Sequence, residues 1–198
     1  MSRKVFILCL FALYSCGEYK EEKYPVGHIE TPVGEIYFWL YEETPLHRSS
    51  FIELAKAKYW DGLNFNRVIE NFVIQGGCPD TPEGFGASDY LIEPEFVSEI
   101  KHVYGAVGMG RDDNPEKYSA GCQFYIVHDV EIPRLDQKYT LFGQVFKGLD
   151  VLDIIASLPT DANDSPLKKV PIKVRALELN VEEIKFLGGA KFLEITFK

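Results

Sequence analysis

Arg67 and Gln75 are the polar side chains best placed to do chemistry in this chain. They stand in the run FNRVIENFVIQGGCPD at 65–80, among the rings of Phe65 and Phe72 and beside Gly76 and Gly77. A guanidinium held next to apolar side chains and an amide can grip a peptide through its backbone carbonyls. To act together these residues must share a surface, and alternation along a strand puts positions i and i+2 on one face. The spacing therefore predicts two short strands joined by a turn at Glu70 and Asn71, with Phe65 and Arg67 on one face. Beyond the turn, Phe72, Ile74 and Gly76 point one way and Val73, Gln75 and Gly77 the other.

The flanking segments supply the elements that must hold such a strand pair. Residues 35–41, rich in Ile, Tyr, Phe, Trp and Leu, read as a strand buried on more than one side. Thr44 and Pro45 open a helix as N-cap and first-turn proline, with Phe51, Leu54 and Ala55 as its core stripe and Trp60 a packed ring at its end. Glycines and prolines mark 81–90 as a loop. Residues 103–110 form a strand whose small side chains allow something to approach closely, and 111–120 is a charged loop. Strands follow at 123–127 and 140–145, a short helix at 149–158 and a closing strand at 171–179. A hairpin turned at Gly188 and Gly189 is expected within 186–197. Two helices, about eight strands and many glycine-bearing turns indicate a mainly antiparallel β-barrel with helices over its open ends. The interior of so small a barrel is filled by side chains, so ligand belongs on the outer wall.

With 198 residues and 46% hydrophobic content, one domain can bury a sufficient core. The formal charge of −9 repels phosphate backbones and argues against nucleic acid as a partner. No metal-ligand spacing occurs, His28, His47, His102 and His128 are scattered, and neither metal nor cofactor is expected. At the start, Arg3 and Lys4 precede an apolar run and the tetrad Leu13-Tyr14-Ser15-Cys16. The run is too short to span a bilayer as a helix. It resembles a bacterial lipoprotein signal, which implies cleavage before Cys16 and lipidation of its thiol, anchoring the chain to the inner or outer membrane of a bacterial envelope, facing the periplasm. The alternative is a signal cut elsewhere, with Cys16 an incidental thiol. Residues 17–26 read as a polar tether. Cys78 and Cys122 remain, and an oxidising compartment permits their pairing without establishing it.

The run at 65–77 matches every fixed position of F-x-R-[VI]-I-x-x-F-x-[IC]-Q-G-G, and GCQFYIVH at 121–128 and LDQKYTLFGQV at 135–145 follow in order. Together they resemble the cyclophilin-type peptidyl-prolyl cis-trans isomerases, over about 29–179. The resemblance implies a closed, eight-stranded antiparallel cyclophilin-like barrel capped by two α-helices. The expected layout is a signal peptide at 1–15, a lipidated cysteine and tether at 16–26, the isomerase domain at 27–180 and a C-terminal extension at 181–198. It also implies roles: Arg67 as catalytic donor with Gln75; Phe72, Val73, Tyr125 and Leu135 walling a proline pocket; Gln75 and Gln123 orienting Arg67 and the peptide. Gly110 and Arg111 would line the adjoining strand edge, and Tyr139 stands where many members carry histidine. Val73, Tyr125 and Gly110 replace the usual methionine, phenylalanine and alanine, which is expected to widen the pocket and make it more polar. The implied partners are proline-containing peptides and unfolded exported proteins, bound by a monomer. Two other readings are a non-catalytic, peptide-binding chaperone of the same fold and a surface lipoprotein binding glycans or metals.

Overall fold

The computed structural model describes residues 21–78 and 91–196. Its strands are β1 (Lys23–Thr31), β2 (Gly34–Leu40), β3 (Asn64–Ile69), β4 (Val73–Gly77), β5 (Leu91–Ile92), β6 (Ala106–Met109), β7 (Ser119–Ala120), β8 (Gln123–Val127), β9 (Leu141–Lys147), β10 (Val170–Pro171) and β11 (Lys173–Asn180). The helices are α1 (Pro45–Lys56), α2 (Leu149–Ala156), α3 (Val181–Phe186) and α4 (Ala190–Thr196), with a 3-10 turn at Pro133–Leu135. Nine strands form one antiparallel sheet in the order β10-β3-β4-β8-β6-β9-β2-β1-β11, while β5 pairs with β7. Only Ile172 separates β10 from β11, and its amide donates to the Leu63 carbonyl at 3.0 Å. The two edges of the sheet are thus pieces of one interrupted strand, and the eight-stave barrel nearly closes on itself.

Alternation fills the barrel. Ile36, Phe38 and Leu40 of β2 point inward to meet Phe65, Ile74, Met109, Phe124 and Phe142, all buried. Phe51 and Ala55 of α1 cover one part of this core and Leu152 and Ile155 of α2 another. The other face of β2, with Tyr37 and Trp39, is also buried, beneath Ile184, Phe192 and Leu193 of the C-terminal segment. That cover is helical. Asn180 and Glu183 form a reciprocal capping box that starts α3, and Gly188, at φ 95°, ends the turn after it. In place of the hairpin expected within 186–197 the chain ends α3 and forms α4, and the described residues carry four helices where two were expected. At the other end, β1 already begins at Lys23, so residues 23–26 are strand and not tether. The strand expected at 103–110 is shorter: Val103 makes only an isolated bridge to Glu131, Tyr104 and Gly105 turn, and Gly110 lies past its end. The loop at 81–90 and the signal segment lie outside the described residues.

Thr44 and Pro45 do begin α1, but the Thr44 hydroxyl does not cap it. The Glu95 carboxylate does, accepting the amides of Leu46 and His47 at 3.0 Å each, with the His47 ring at 2.7 Å. A carboxylate there satisfies orphan donors and complements the helix dipole. The far nitrogen of His47 meets the Ser119 hydroxyl at 2.9 Å. Ser119 and His47 are both buried, so this Ser-His-carboxylate row fastens α1 to β7.

Burial, opposed only in part by Glu95 and Asp136, lowers His47 and His102 below their ordinary value of 6.5, and burial likewise lowers His28. These rings are neutral in the fold and protonate more readily in the unfolded chain. Their contribution to stability is therefore present above about pH 6.5 and is lost as pH falls through the lowered folded values. The thermal midpoint should drop between pH 7.5 and 5, well before carboxylates titrate. A midpoint unchanged or rising over that range would contradict neutral burial.

Candidate active site

The strand carrying Arg67 is not regular. Phe65 pairs with Gly76 and Arg67 with Gln75, leaving Asn66 as the extra residue of a β-bulge. The bulge reverses the alternation: Phe65 turns inward, edge-on to Phe124 at 5.9 Å, whereas Arg67 faces the outer wall. The shared face expected for Phe65 and Arg67 is corrected accordingly. Phe72 also escapes the expected face, because it belongs to the turn before β4 and so joins Val73 rather than Ile74.

On the outer wall, β3, β4, β8 and β6 place Arg67, Gln75, Tyr125 and Gly108 side by side. A pocket of about 130 Å³ opens there, and all ten binding and catalytic residues named from the sequence line it. Phe72, Val73, Tyr125 and Leu135 give it apolar walls, with Leu135 brought in by the 3-10 turn. Arg67 and Gln75 stand at one side. Gly110, Arg111, Gln123 and Tyr139 close the other. Cys16 lies outside the described residues.

The polar rim is held in place. Arg67 Nη1 donates to Gln75 Oε1 at 3.4 Å, and its Nε lies 3.5 Å from Asp164 Oδ2. Buried Gln123 donates to the Cys78 carbonyl at 3.0 Å, next to the Cys78–Cys122 disulfide, whose Cα atoms are 5.5 Å apart. Arg111 donates from Nε to the Lys138 carbonyl at 3.0 Å and lays its guanidinium over the Tyr139 ring at 4.7 Å. Arg134 covers the Phe72 ring at 4.6 Å.

The small residues of β6 and the glycine just after it admit the barrel's own side chains. A Cβ on Gly110 would sit 2.1 Å from Gln123 Oε1, so the amide already occupies the space an alanine methyl would fill. A Cβ on Gly108 would meet the Tyr125 ring at 2.2 Å. The Tyr125 hydroxyl is engaged as well: His102 Nε2 lies 2.7 Å from it, while His102 Nδ1 lies 2.7 Å from Asp136 Oδ1. A carboxylate only accepts, so Nδ1 carries the proton and Nε2 accepts from the tyrosine. The expected widening at Gly110 and the expected extra polarity at Tyr125 are thus both cancelled from within the wall. Gly108→Ala should force the Tyr125 ring aside, costing about 1–3 kcal/mol of stability by overpacking and weakening proline-peptide binding. Thermal melts and a peptide titration check this, and unchanged affinity would contradict it.

Sequence reasoning missed Asp164, His102 and Asp136. They lie far along the chain from the residues they touch, and no local spacing announces a contact between such distant loops.

The family described as cyclophilin type peptidyl-prolyl cis-trans isomerase/CLD matches residues 27–176. A peptidyl-prolyl cis-trans isomerase of Schizosaccharomyces pombe is 36% identical over 149 residues, covering 74% of this chain and 93% of its own. One from Acinetobacter baylyi is 34% identical over 158 residues, covering 76% and 83%. A crystal structure of a Cryptosporidium parvum cyclophilin-type isomerase superposes with a TM-score of 0.67 at 27% identity, covering 78% of this chain and 98% of that one. A second structure of that protein, determined in the presence of the dipeptide Ala-Pro, gives 0.68 at 24% identity, covering 77% and 98%. With the motif residues gathered about one pocket and the family match spanning most of the barrel, the chain belongs to the cyclophilin-type peptidyl-prolyl cis-trans isomerases, enzymes that accelerate rotation about Xaa-Pro bonds.

Proposed function

We propose that Arg67 and its pocket perform this isomerisation on unfolded exported proteins, and that the chain works as a lipoprotein of the bacterial envelope. The observation that carries the catalytic reading is a guanidinium fixed between Gln75 and Asp164 at the edge of an apolar pocket. Rotation about an Xaa-Pro bond faces a barrier of about 20 kcal/mol because the amide has partial double-bond character. No proton exchange or covalent intermediate is needed, only tighter binding of the twisted amide than of either planar form. Phe72, Val73, Tyr125 and Leu135 would hold the proline ring. As conjugation breaks, the prolyl nitrogen gains a basic lone pair, and Arg67 would donate to it from a charged, pre-oriented fork. A relative crystallised in the presence of Ala-Pro supports a proline-containing ligand of this kind.

The lipoprotein reading rests on the tetrad ending in Cys16 and the apolar run before it. Acyl chains contribute about 0.8 kcal/mol per buried methylene, enough for two or more to hold a protein on a membrane. Exported chains meet slow prolyl steps as they fold, which gives an envelope isomerase a task. The test has two parts. Catalytic amounts of the full chain should speed the proline-limited refolding of a reduced, unfolded exported protein. Expressed in a bacterium fed labelled palmitate, the chain should take up label that Cys16→Ser abolishes. Unlabelled wild-type chain would overturn the anchor, and unchanged refolding would overturn the client class.

A further inference from the structure

We infer that Asp164 is a positioning residue for the isomerisation, orienting the Arg67 guanidinium toward the pocket; this rests on the isomerase reading of that site. Arginine carries about 2 kcal/mol of side-chain rotamer entropy. The Gln75 contact is long, at 3.4 Å, and made to a neutral acceptor. One such bond leaves the guanidinium free to swing about it. A charged partner at a different edge restricts that swing, and Asp164 Oδ2 stands 3.5 Å from Nε as an ion pair, on the edge that Gln75 does not use.

The carboxylate is delivered by a structured loop, not by chance proximity at the surface. The Asp164 carbonyl accepts the amide of Val68, the residue after Arg67, at 2.8 Å, which locks the loop to the catalytic strand. Asp164 itself is held at φ 62°, in the left-handed region. The Asp161 carboxylate accepts the amides of Asn163 and Ser165 at 2.8 and 3.0 Å, and Asp161 and Ser165 also bond through their backbones at 2.9 Å. Both charges are partly exposed, with side-chain accessibilities of 36% for Arg67 and 44% for Asp164, so water screens their attraction. Stability is therefore not what the pair supplies. Its effect is geometric: catalysis by a preformed donor depends on where the donor points when the amide twists.

The test measures kcat and KM by cis-trans exchange of an Xaa-Pro tetrapeptide on the full chain, comparing wild type, Asp164→Ala, Asp164→Asn, Arg67→Ala and the Arg67→Ala/Asp164→Ala pair. Asp164→Ala should lower kcat about tenfold with KM within about twofold, as expected for lost orientation of a transition-state donor. Asp164→Asn, which keeps an oxygen facing Nε without the charge, should recover part of the loss. In the Arg67→Ala background the second substitution should change nothing further. The Arg67 Nε–H resonance should shift in Asp164→Ala while the rest of the spectrum stays folded. A wild-type kcat in Asp164→Ala, an effect confined to KM, or losses that multiply in the double variant would each overturn the positioning role while leaving the isomerase reading intact. Absence of exchange in wild type would instead sink both.

Discussion

Replacing Arg67 by alanine is expected to lower kcat/KM for an Xaa-Pro peptide about 100- to 1000-fold, the usual cost of deleting one preorganised donor that serves the transition state. Nearly all of the loss should fall in kcat. In the proposed mechanism the planar peptide is held mainly by the apolar walls of Phe72, Val73, Tyr125 and Leu135, whereas the demand for a donor grows only as the amide leaves planarity. Removing a group that acts there alone spares ground-state binding. Arg67→Lys should restore little. An ammonium keeps the charge but cannot meet Gln75 and Asp164 on two edges while aiming a third donor at the substrate. Stopped-flow or exchange kinetics with parallel peptide titration check the division. A loss carried by affinity with kcat intact would show that Arg67 merely binds.

Phe124→Ala should be the most destabilising change in the barrel, by about 3–5 kcal/mol, the range for an aromatic deleted from a packed core. Phe124 is 1% exposed and lies edge-on to Trp60 and Phe65, both at 5.9 Å. It also sits between Gln123 and Tyr125 on β8, pairing with Gly76 and Met109 on either side. The two rings belong to different parts of the chain, the turn after α1 and β3, so the cavity cannot close by a single shift. At about 2–4 °C per kcal/mol for a domain of this size, the thermal midpoint should fall on the order of 10 °C. Activity per folded molecule should also drop, because the neighbouring pocket residues ride on the same strand. A midpoint shift of only a degree or two would mean that the core is looser than its packing indicates.

What could be read from the residues and what could not divide along a physical line. The 65–77 motif brought Arg67, Phe72, Val73 and Gln75 to one pocket because those positions are close in the chain and joined by a single turn. Strand β8 was legible to the residue, since Gln123 opens the hydrophobic run FYIV, which is bounded by Gly121 and His128. The inward turn of Phe65 was not, because one inserted residue, Asn66, reverses every later side chain and alternation alone cannot see a bulge. The C-terminal helices were misread for a related reason. Gly188 and Gly189 look like a hairpin turn unless Asn180 and Glu183 are recognised as a capping box three residues apart. Asp164 and the Asp136-His102-Tyr125 chain were illegible for another reason: each joins residues that only the closed barrel brings together.

Prolyl rotation is expected at this one pocket, with Arg67 at its edge. Two-dimensional exchange NMR on an Xaa-Pro peptide with a small fraction of full-length chain tests it most directly. Spontaneous exchange takes tens to hundreds of seconds. The wild type should give cis-trans cross-peaks within the experiment's shorter mixing time, Arg67→Ala should lose them, and peptide-induced shifts should centre on Phe72, Tyr125 and Leu135. Shifts at those residues without cross-peaks, or cross-peaks that survive in Arg67→Ala, would contradict it.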